Sequence, residues 1–322
     1  MAENQYTYAV ARIRSKELSL LNNQILEQLL ASKNYEECLR LLQEKGWGNQ
    51  ETKTAEEILK VESEKTWDLM EELVEDTTVF DVFLYSNDYH NLKAAIKQAY
   101  VNTEIPNIYL SHGTIKPDIL FNAVKEHDFS VLPEHMREAA EEAYNVLFHT
   151  GDGQLCDIVI DKAALEAIYK KGKASGNEVL SGFSEIKVVA ADINIAIRGS
   201  KTGKGIEFFQ RAFAKCDSLD IHRLTEAALN SVEAIYDYLA ITKYSDAVDQ
   251  LKESLSAFER WCDNRVMEHI KPQRYNPFTI SPLAAYILGR ESEIKSVRIL
   301  LSGKLNNLSE NLIRERLRET YV

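Results

Sequence analysis

The stretch PLAAYI at residues 282–287 is the last of three similar hexapeptides, and these three decide the predicted fold. The other two are NLKAAI at residues 91–96 and DINIAI at residues 192–197, so the intervals are 101 and 90 residues. Each hexapeptide has a residue suited to a helix start, then an aliphatic residue, and ends on a small or aromatic residue before isoleucine. A duplicated helical unit usually builds a framework or a binding surface, whereas catalysis needs one asymmetric cleft.

A second set of matches follows the hexapeptides at similar spacing: HGTI at residues 112–115, CDSL at 216–219 and SGKL at 302–305. Each is predicted to open another amphipathic stretch. Chance similarity between amphipathic helices is the alternative, because few positions are shared. From the repeats we predict three related units. The first is split between the chain ends (1–84 with 279–322), and the second and third follow in order (85–185 and 186–278).

Composition predicts a mostly helical protein. Only 13 glycines and 6 prolines occur in 322 residues, so few positions require tight turns or break helices. Residues 154–160 and 186–197 are rich in β-branched side chains and would be read as strands in isolation. Because the second of these contains DINIAI, we predict a helix there. Asp161 is predicted to cap a helix that ends near Lys171. Other local signals predict a capping box of Thr54 with Glu57, a Ser309 cap on the last helix, and helix ends at Gly151 and Gly303.

Charge, cysteines and hydropathy narrow the possible functions. The formal net charge of −12 opposes nonspecific attraction to nucleic acid and to an anionic membrane surface. The four cysteines are far apart and lack metal-ligand spacing, which indicates reduced thiols in a cytosolic protein. No secretory leader is recognised. The longest uncharged run, residues 275–289, contains two prolines and is too short to span a bilayer as a helix.

One glycine-rich loop invites a nucleotide-binding interpretation. GSKTGKG at residues 199–205 ends in Gly-Lys, as phosphate-binding loops do. A P-loop, however, has four residues between its glycines and a Ser or Thr after the Lys, whereas here three residues intervene and Gly205 follows. A flexible basic loop between helices is favoured, and a phosphate-binding enzyme remains the less favoured alternative. No other motif supplies catalytic, cofactor-binding or metal-binding residues, so we predict none.

Two segments carry a resemblance to a known family. They are YAVARIR at residues 8–14, followed by the leucines at 20 and 21, and PLAAYILGRESEI at 282–294, followed by VRIL at 297–300. Together they resemble the two ends of the C subunit of the V/A-type ATPases, which is called the d subunit in vacuolar enzymes. Residues 192–198 and the turn at 113–115 are also similar, so the resemblance covers nearly the whole chain.

The resemblance implies an all-helical, funnel-shaped protein with three related helical-bundle units in a pseudo-threefold arrangement. It also implies a non-catalytic rotor adaptor in the cytoplasm, attached peripherally to the membrane through the ATPase complex. Such an adaptor would link the D and F subunits of the central stalk to the membrane proteolipid (c/K) ring and transmit torque for proton or sodium transport. A helical-repeat scaffold of another complex is the alternative. The family brings no catalytic or cofactor residues.

Charge is unevenly distributed along the chain. Residues 289–322 carry seven basic and five acidic side chains, which predicts a partner-binding role for Arg314, Arg316 and Arg318 through complementary charge. Ordinary salt-bridged helix faces are the alternative. Residues 51–76 carry ten acidic and three basic side chains, which is typical of a solvated outer face and is also compatible with an acidic docking surface.

Overall fold

Most of the chain is helical. The structure is a computed structural model that describes residues 6–322. Within this range it has no β-strand, so the all-α prediction is confirmed. The α-helices in chain order are α1 (Thr7–Glu17), α2 (Asn23–Leu30), α3 (Tyr35–Glu44), α4 (Ala55–Leu73), α5 (Asp81–Val101), α6 (Pro117–Glu126), α7 (Glu134–Thr150), α8 (Gly153–Ala174), α9 (Glu178–Lys201), α10 (Ile206–Ala212), α11 (Ile221–Asn230), α12 (Val232–Ala240), α13 (Ala247–Glu253), α14 (Leu255–Ile270), α15 (Ser281–Leu305) and α16 (Glu310–Arg314).

The helices group into two compact units. Unit 1 comprises residues 1–77 and 249–322, so it contains both ends of the chain, and unit 2 comprises residues 78–248. In unit 1, α15 packs against α1, α3, α4 and α14. In unit 2, α8 packs against α5, α7 and α9. The division into three related units, and the funnel shape, stay predictions.

Side-chain caps fix where many of these helices begin. Thr54 accepts a hydrogen bond from the Glu57 N–H, and the Glu57 carboxylate accepts from the Thr54 N–H, which forms the predicted capping box of α4. Ser309 caps α16 as predicted. Gly151 ends α7 with a φ of 71°, in the left-handed region that glycine adopts without a steric penalty.

The core of unit 1 is built from both chain ends. Leucines and other apolar residues of α2 and α3 pack on Ile58 and Leu59 of α4, and on Val297, Leu300 and Leu301 of α15. Burial of this apolar surface at about 25 cal/mol per Å² is the main favourable term that joins the two ends. No helix among residues 6–322 combines the length and apolar character needed to cross a bilayer.

Three local predictions need correction. Residues 154–160 belong to α8, which starts at Gly153 under an Asp152 cap, and Asp161 therefore lies inside that helix rather than at its start. Residues 302–305 form the last turn of α15, so the third tetrapeptide does not open a new stretch and Gly303 does not end the helix. Gly303 instead makes room for Ile313, whose Cγ1 would lie 2.5 Å from an added Cβ.

The prediction of a helix at residues 186–197 is confirmed. These residues lie within α9, although their β-branched content favours a strand. Val188, Val189, Ile193 and Ile197 are all buried at helical spacing, so tertiary burial of one face outweighs the intrinsic preference of the individual residues.

Candidate functional site

A buried ion cluster on α15 is the most unusual feature of unit 1. The Arg290 guanidinium donates to Glu62 Oε2 at 2.5 Å and also to the Glu293 carboxylate. The side chains of all three residues are less than a tenth exposed. The Arg290 guanidinium also lies over the Trp47 ring, 5.2 Å from its centroid. Arg290 therefore joins α15 to α4 and to the turn that follows α3.

Neighbouring positions of α15 contact the segment that follows α1 and the C-terminal tail. The Leu21 N–H, which follows α1, donates to Glu293 Oε1. Gly289 lies against the ring of Tyr321, and a Cβ at Gly289 would stand 3.0 Å from Tyr321 Cγ. The stretch that carried the family resemblance thus contacts α4, the N-terminal segment and the C-terminal tail within five residues.

Glu62 organises the turn at residues 46–48. Its Oε1 accepts from the Gly48 N–H at 2.8 Å and from Lys65 Nζ at 2.6 Å. Lys65 Nζ also donates to the carbonyl oxygens of Gly46 and Gly48. Both glycines have positive φ, so this turn requires them. A surface cavity of about 510 Å³ opens above the cluster, with Tyr286 and Arg290 in its wall.

Electrostatics explain why these charges persist in the interior. Burial opposes the Arg290 charge, but the carboxylates of Glu293 and Glu62 outweigh this effect and raise the pKa of Arg290. Burial raises the pKa of Glu293, although Arg290 and the Leu21 N–H favour its charged form. A paired and hydrogen-bonded cluster of this kind is costly to break and fixes the register of the segments it joins. The cluster therefore has a structural role, which is to hold α4, α15 and the segment after α1 together.

In unit 2, the tetrapeptides HGTI and CDSL each make a hydroxyl–carboxylate hydrogen bond. Thr114 Oγ1, in HGTI, donates to Asp88 Oδ2 of α5 at 2.7 Å. Ser218, at the matching position of CDSL, donates from its hydroxyl to Glu185 of α9. The backbone N–H of Ile115 and that of Ser218 bind the same two carboxylates. Each tetrapeptide thus places a hydroxyl and a backbone N–H on a carboxylate, although Asp88 lies three residues before Asn91 and Glu185 lies seven before Asp192. The sequence repeat stays a prediction.

The first residues of two hexapeptides also act alike. Asn91 is fully buried and exchanges two hydrogen bonds with the backbone of Leu110, at 2.8 and 3.0 Å. Asp192 is equally buried and accepts from the Ala214 N–H at 3.1 Å. Each side chain thus anchors a loop that lies about twenty residues farther along the chain. Burial raises the pKa of Asp192 to about 8.

The glycine-rich stretch at residues 199–205 is not built like a phosphate-binding loop. Gly199 lies in the last turn of α9, where an added Cβ would stand 2.5 Å from the Phe209 ring. Lys204 Nζ donates to Gln154 Oε1 at 3.0 Å and lies over the Phe208 ring. A helix rather than a strand precedes the loop, so the strand–loop–helix context of a P-loop is not met.

The three arginines predicted to bind a partner occupy different environments. Arg314 is half exposed and pairs with Glu27, and Arg316 is exposed. Arg318 is buried, and its Nε donates to Asp263 Oδ2 at 2.7 Å. The structure therefore leaves Arg314 and Arg316 accessible and assigns Arg318 an internal contact. A partner-binding role for these residues stays a prediction.

Sequence reasoning missed the ion cluster, although two signals were present. Glu62 stands four residues after Ile58, on the apolar stripe of α4, and Arg290 directly follows the longest uncharged run of the chain. A charged residue at a position predicted to be buried indicates an ion pair, because charged side chains are almost never buried without a partner. Among residues 6–322, no group of His, Cys, Asp and Glu side chains is arranged to hold a metal ion.

The fold and the cluster define an all-helical framework protein whose distant segments are joined by buried charges. The chain belongs to the ATP synthase (C/AC39) subunit family, whose sequence model matches residues 9–316. It is therefore a structural subunit of a rotary ATPase complex and not an enzyme in its own right. The resemblance found at the two chain ends is confirmed.

Characterised relatives match nearly end to end at low identity. The C subunit of the V-type sodium ATPase of Enterococcus hirae is 20% identical over 96% of this chain and 97% of its own length. The C subunit of the A-type ATP synthase of Methanocaldococcus jannaschii is 24% identical, covering 97% of this chain and 86% of its own. The C subunit of the V-type ATP synthase of Thermus thermophilus is 23% identical, with coverages of 92% and 93%.

Proposed function

We propose that this chain is the non-catalytic rotor adaptor of a V/A-type ion-translocating ATPase. It forms a socket between the central shaft, made of the D and F subunits of the stalk, and the membrane proteolipid (c/K) ring, and it transmits torque for proton or sodium transport. The protein works on the cytoplasmic side and is attached to the membrane through the complex. The observation that carries this proposal is the family match over residues 9–316.

The physical character of the chain supports a mechanical role. A coupling element must transmit torque without yielding, and close-packed helices deform little because their interiors contain almost no free volume. Gly172, Gly199 and Gly303 each lie where an added Cβ would overlap a neighbouring side chain, so helices approach closely in both units. The buried Arg290 cluster further fixes α4, α15 and the N-terminal segment against one another.

The three-unit organisation forms part of the proposal. The sequence repeats at residues 91–96, 192–197 and 282–287 support this organisation. The contact of Ser218 with Glu185 joins the second and third predicted units, because Glu185 is the last residue of the second. Three related units in a pseudo-threefold arrangement would match a narrow shaft to a wider ring.

Depletion and add-back test the adaptor role. Membranes of the source organism that lack this chain should retain the proteolipid ring but lose the D and F subunits, and ATP hydrolysis by the complex should not drive ion uptake. Purified wild-type chain should restore both. Retention of D and F on the ring with normal ion uptake in its absence would contradict the proposal. Co-purification of the chain with a different complex would favour the helical-scaffold alternative.

A further inference from the structure

Two apolar side chains of unit 1 stand out by their exposure. Leu18 is 88% exposed and Tyr275 is 86% exposed, the highest values among the large apolar residues described, and the next is Tyr8 at 69%. Phe278, three residues after Tyr275, is 52% exposed. Folding of the chain leaves these side chains in water, where their apolar surface is available for contact with another molecule.

Leu18 and the loop at residues 271–280, which opens with a 3₁₀-helix at Lys271–Tyr275, belong to one surface. The Arg14 guanidinium of α1 donates to the carbonyl oxygens of Gln273 at 2.6 Å and Asn276 at 3.1 Å, which holds the loop against α1. Leu18 follows Arg14 by four residues and therefore lies on the same side of the helix. We refer to Leu18, Tyr275 and Phe278 as the loop patch.

The loop is stiff. Asn276 Nδ2 donates to Gln273 Oε1 at 3.1 Å and to Thr279 Oγ1 at 2.9 Å. Pro272 and Pro277 restrict the backbone on either side of Tyr275. A braced loop loses little conformational entropy when its side chains are bound, so the loop patch is pre-organised for contact.

The charges around the loop patch are opposite in sign to the net charge of the chain. Residues 7–18 and 271–280 carry five basic side chains and one acidic side chain, Glu17, which is buried and bound to Arg14. Arg12 and Lys271 have acidic partners on other segments, Glu72 and Glu319. Lys16 and Arg274, by contrast, form no ion pair within residues 6–322 and remain available for an external anion.

We propose that the loop patch, with Lys16 and Arg274, rests on the anionic headgroup layer of the lipid bilayer. Leucine and aromatic side chains flanked by lysine and arginine are the residue types that settle at the membrane–water interface. The net charge of −12 repels the free chain from an anionic surface, so the contact forms only when the complex holds the chain at the membrane. The inference therefore rests on the proposed function.

Site-specific photocrosslinking on reassembled membranes tests the contact. Wild-type chain and a variant with benzoylphenylalanine in place of Tyr275 are added back to membranes depleted of the chain and are irradiated. We expect mass spectrometry to find phospholipid attached at position 275. Position 305 is the matched control, because Leu305 is 62% exposed and α15 places it roughly 36 Å along the same unit. We expect little or no lipid attached there.

Each remaining outcome has one meaning. Attachment of position 275 to another protein alone, or to nothing, would overturn the lipid contact while leaving the adaptor role intact. Equal lipid attachment at positions 275 and 305 would show unspecific labelling and would also overturn it. Failure of the wild-type chain to rebind depleted membranes would instead contradict the proposed function, and the lipid contact would fall with it.

Neutralising the free cations gives an independent measurement. Arg274→Gln and Lys16→Gln should each weaken rebinding to depleted membranes about fivefold, and the loss should shrink as salt is raised. Arg298→Gln, which removes an exposed cation from the same unit, should leave rebinding unchanged. Equal rebinding by all three variants would contradict the electrostatic part of the proposal.

Discussion

At the scale of single residues, Arg290 is the centre of a buried ion cluster in unit 1. It neutralises two carboxylates that are themselves buried, and it packs on Trp47. The pair with Glu62 crosses 228 positions of sequence, so its geometry exists only in the folded unit. Loss of the arginine would leave uncompensated negative charge in the interior, which is among the costliest changes a core can undergo.

We predict that Arg290→Met lowers the free energy of unfolding by about 3–5 kcal/mol, because Glu62 and Glu293 lose their buried counter-ion. The loss should diminish as the pH falls, because burial raises the pKa of the Glu293 carboxyl, which can then take up a proton and lose its uncompensated charge. Urea unfolding at several pH values measures both effects. Arg298→Met is the matched control on the same helix. Its pair with Glu56 is exposed, so a loss of at most about 1 kcal/mol is expected.

Asp192 gives a pH-dependent prediction. Because burial raises its pKa from 3.8 to about 8, the unfolded state ionises first as the pH rises. Wild-type stability should therefore fall between pH 4 and pH 8 by this contribution. Asp192→Asn should remove that fall and raise the unfolding free energy at pH 8.5 by at least about 2 kcal/mol. The change mimics Asn91, which bonds the backbone of Leu110 as an amide.

Asp68→Asn provides the comparison for this experiment, since Asp68 is an exposed aspartate on α4. Its effect should stay within about 0.5 kcal/mol at every pH. Guanidinium unfolding from pH 4 to pH 8.5 is the measurement. An Asp192→Asn variant that keeps the wild-type pH slope would contradict the assignment of that slope to Asp192.

At the scale of elements, several helices approach so closely that only glycine fits at the contact. Gly172 of α8 lies directly against α9, and an added Cβ would stand 2.3 Å from Ser184 Oγ and 2.8 Å from the Leu180 carbonyl oxygen. The second of these atoms belongs to the backbone and cannot turn away. The pairing of α8 with α9 at this separation therefore requires glycine.

We predict that Gly172→Ala destabilises the protein by about 1–3 kcal/mol, because the overlap with α9 outweighs the better helix propensity of alanine. Gly153→Ala, in the first turn of the same helix, meets no atom within 4 Å and should be neutral or stabilising by up to about 1 kcal/mol. Thermal unfolding of both variants separates the two effects. Equal melting temperatures would contradict the close-packing interpretation.

The elements also show how far sequence patterns reach. The capping box of Thr54 with Glu57, the Gly151 stop and the Ser309 cap were predicted because they are local interactions within one turn of chain. The predicted Asp161 cap was wrong because α8 begins at Gly153. The residues between Gly153 and Asp161 are stabilised as helix by packing against other helices, which a short stretch of sequence does not reveal. Helix propensity is a weak prior when one face of the segment is buried.

At the scale of the whole molecule, the meeting of the chain ends is the feature that matters for an adaptor. Residues 1–77 and 249–322 share one unit, and Arg14 and Leu21 each bond to the C-terminal part of the chain. An element that transmits torque has to keep its packed segments in fixed contact. Contacts that join the first and last segments meet that requirement, which agrees with the proposed function.

The sequence by itself determined the all-helical fold and the family, because helical periodicity, caps and full-length similarity are properties of the linear chain. Only the tertiary structure decided that Glu62 and Glu293 share Arg290 and that Gly289 receives Tyr321. It also showed that Arg318 is internal whereas Arg316 is exposed, although both lie in one short basic segment. The reason is physical: partners separated by tens to hundreds of residues meet only when packing places them together.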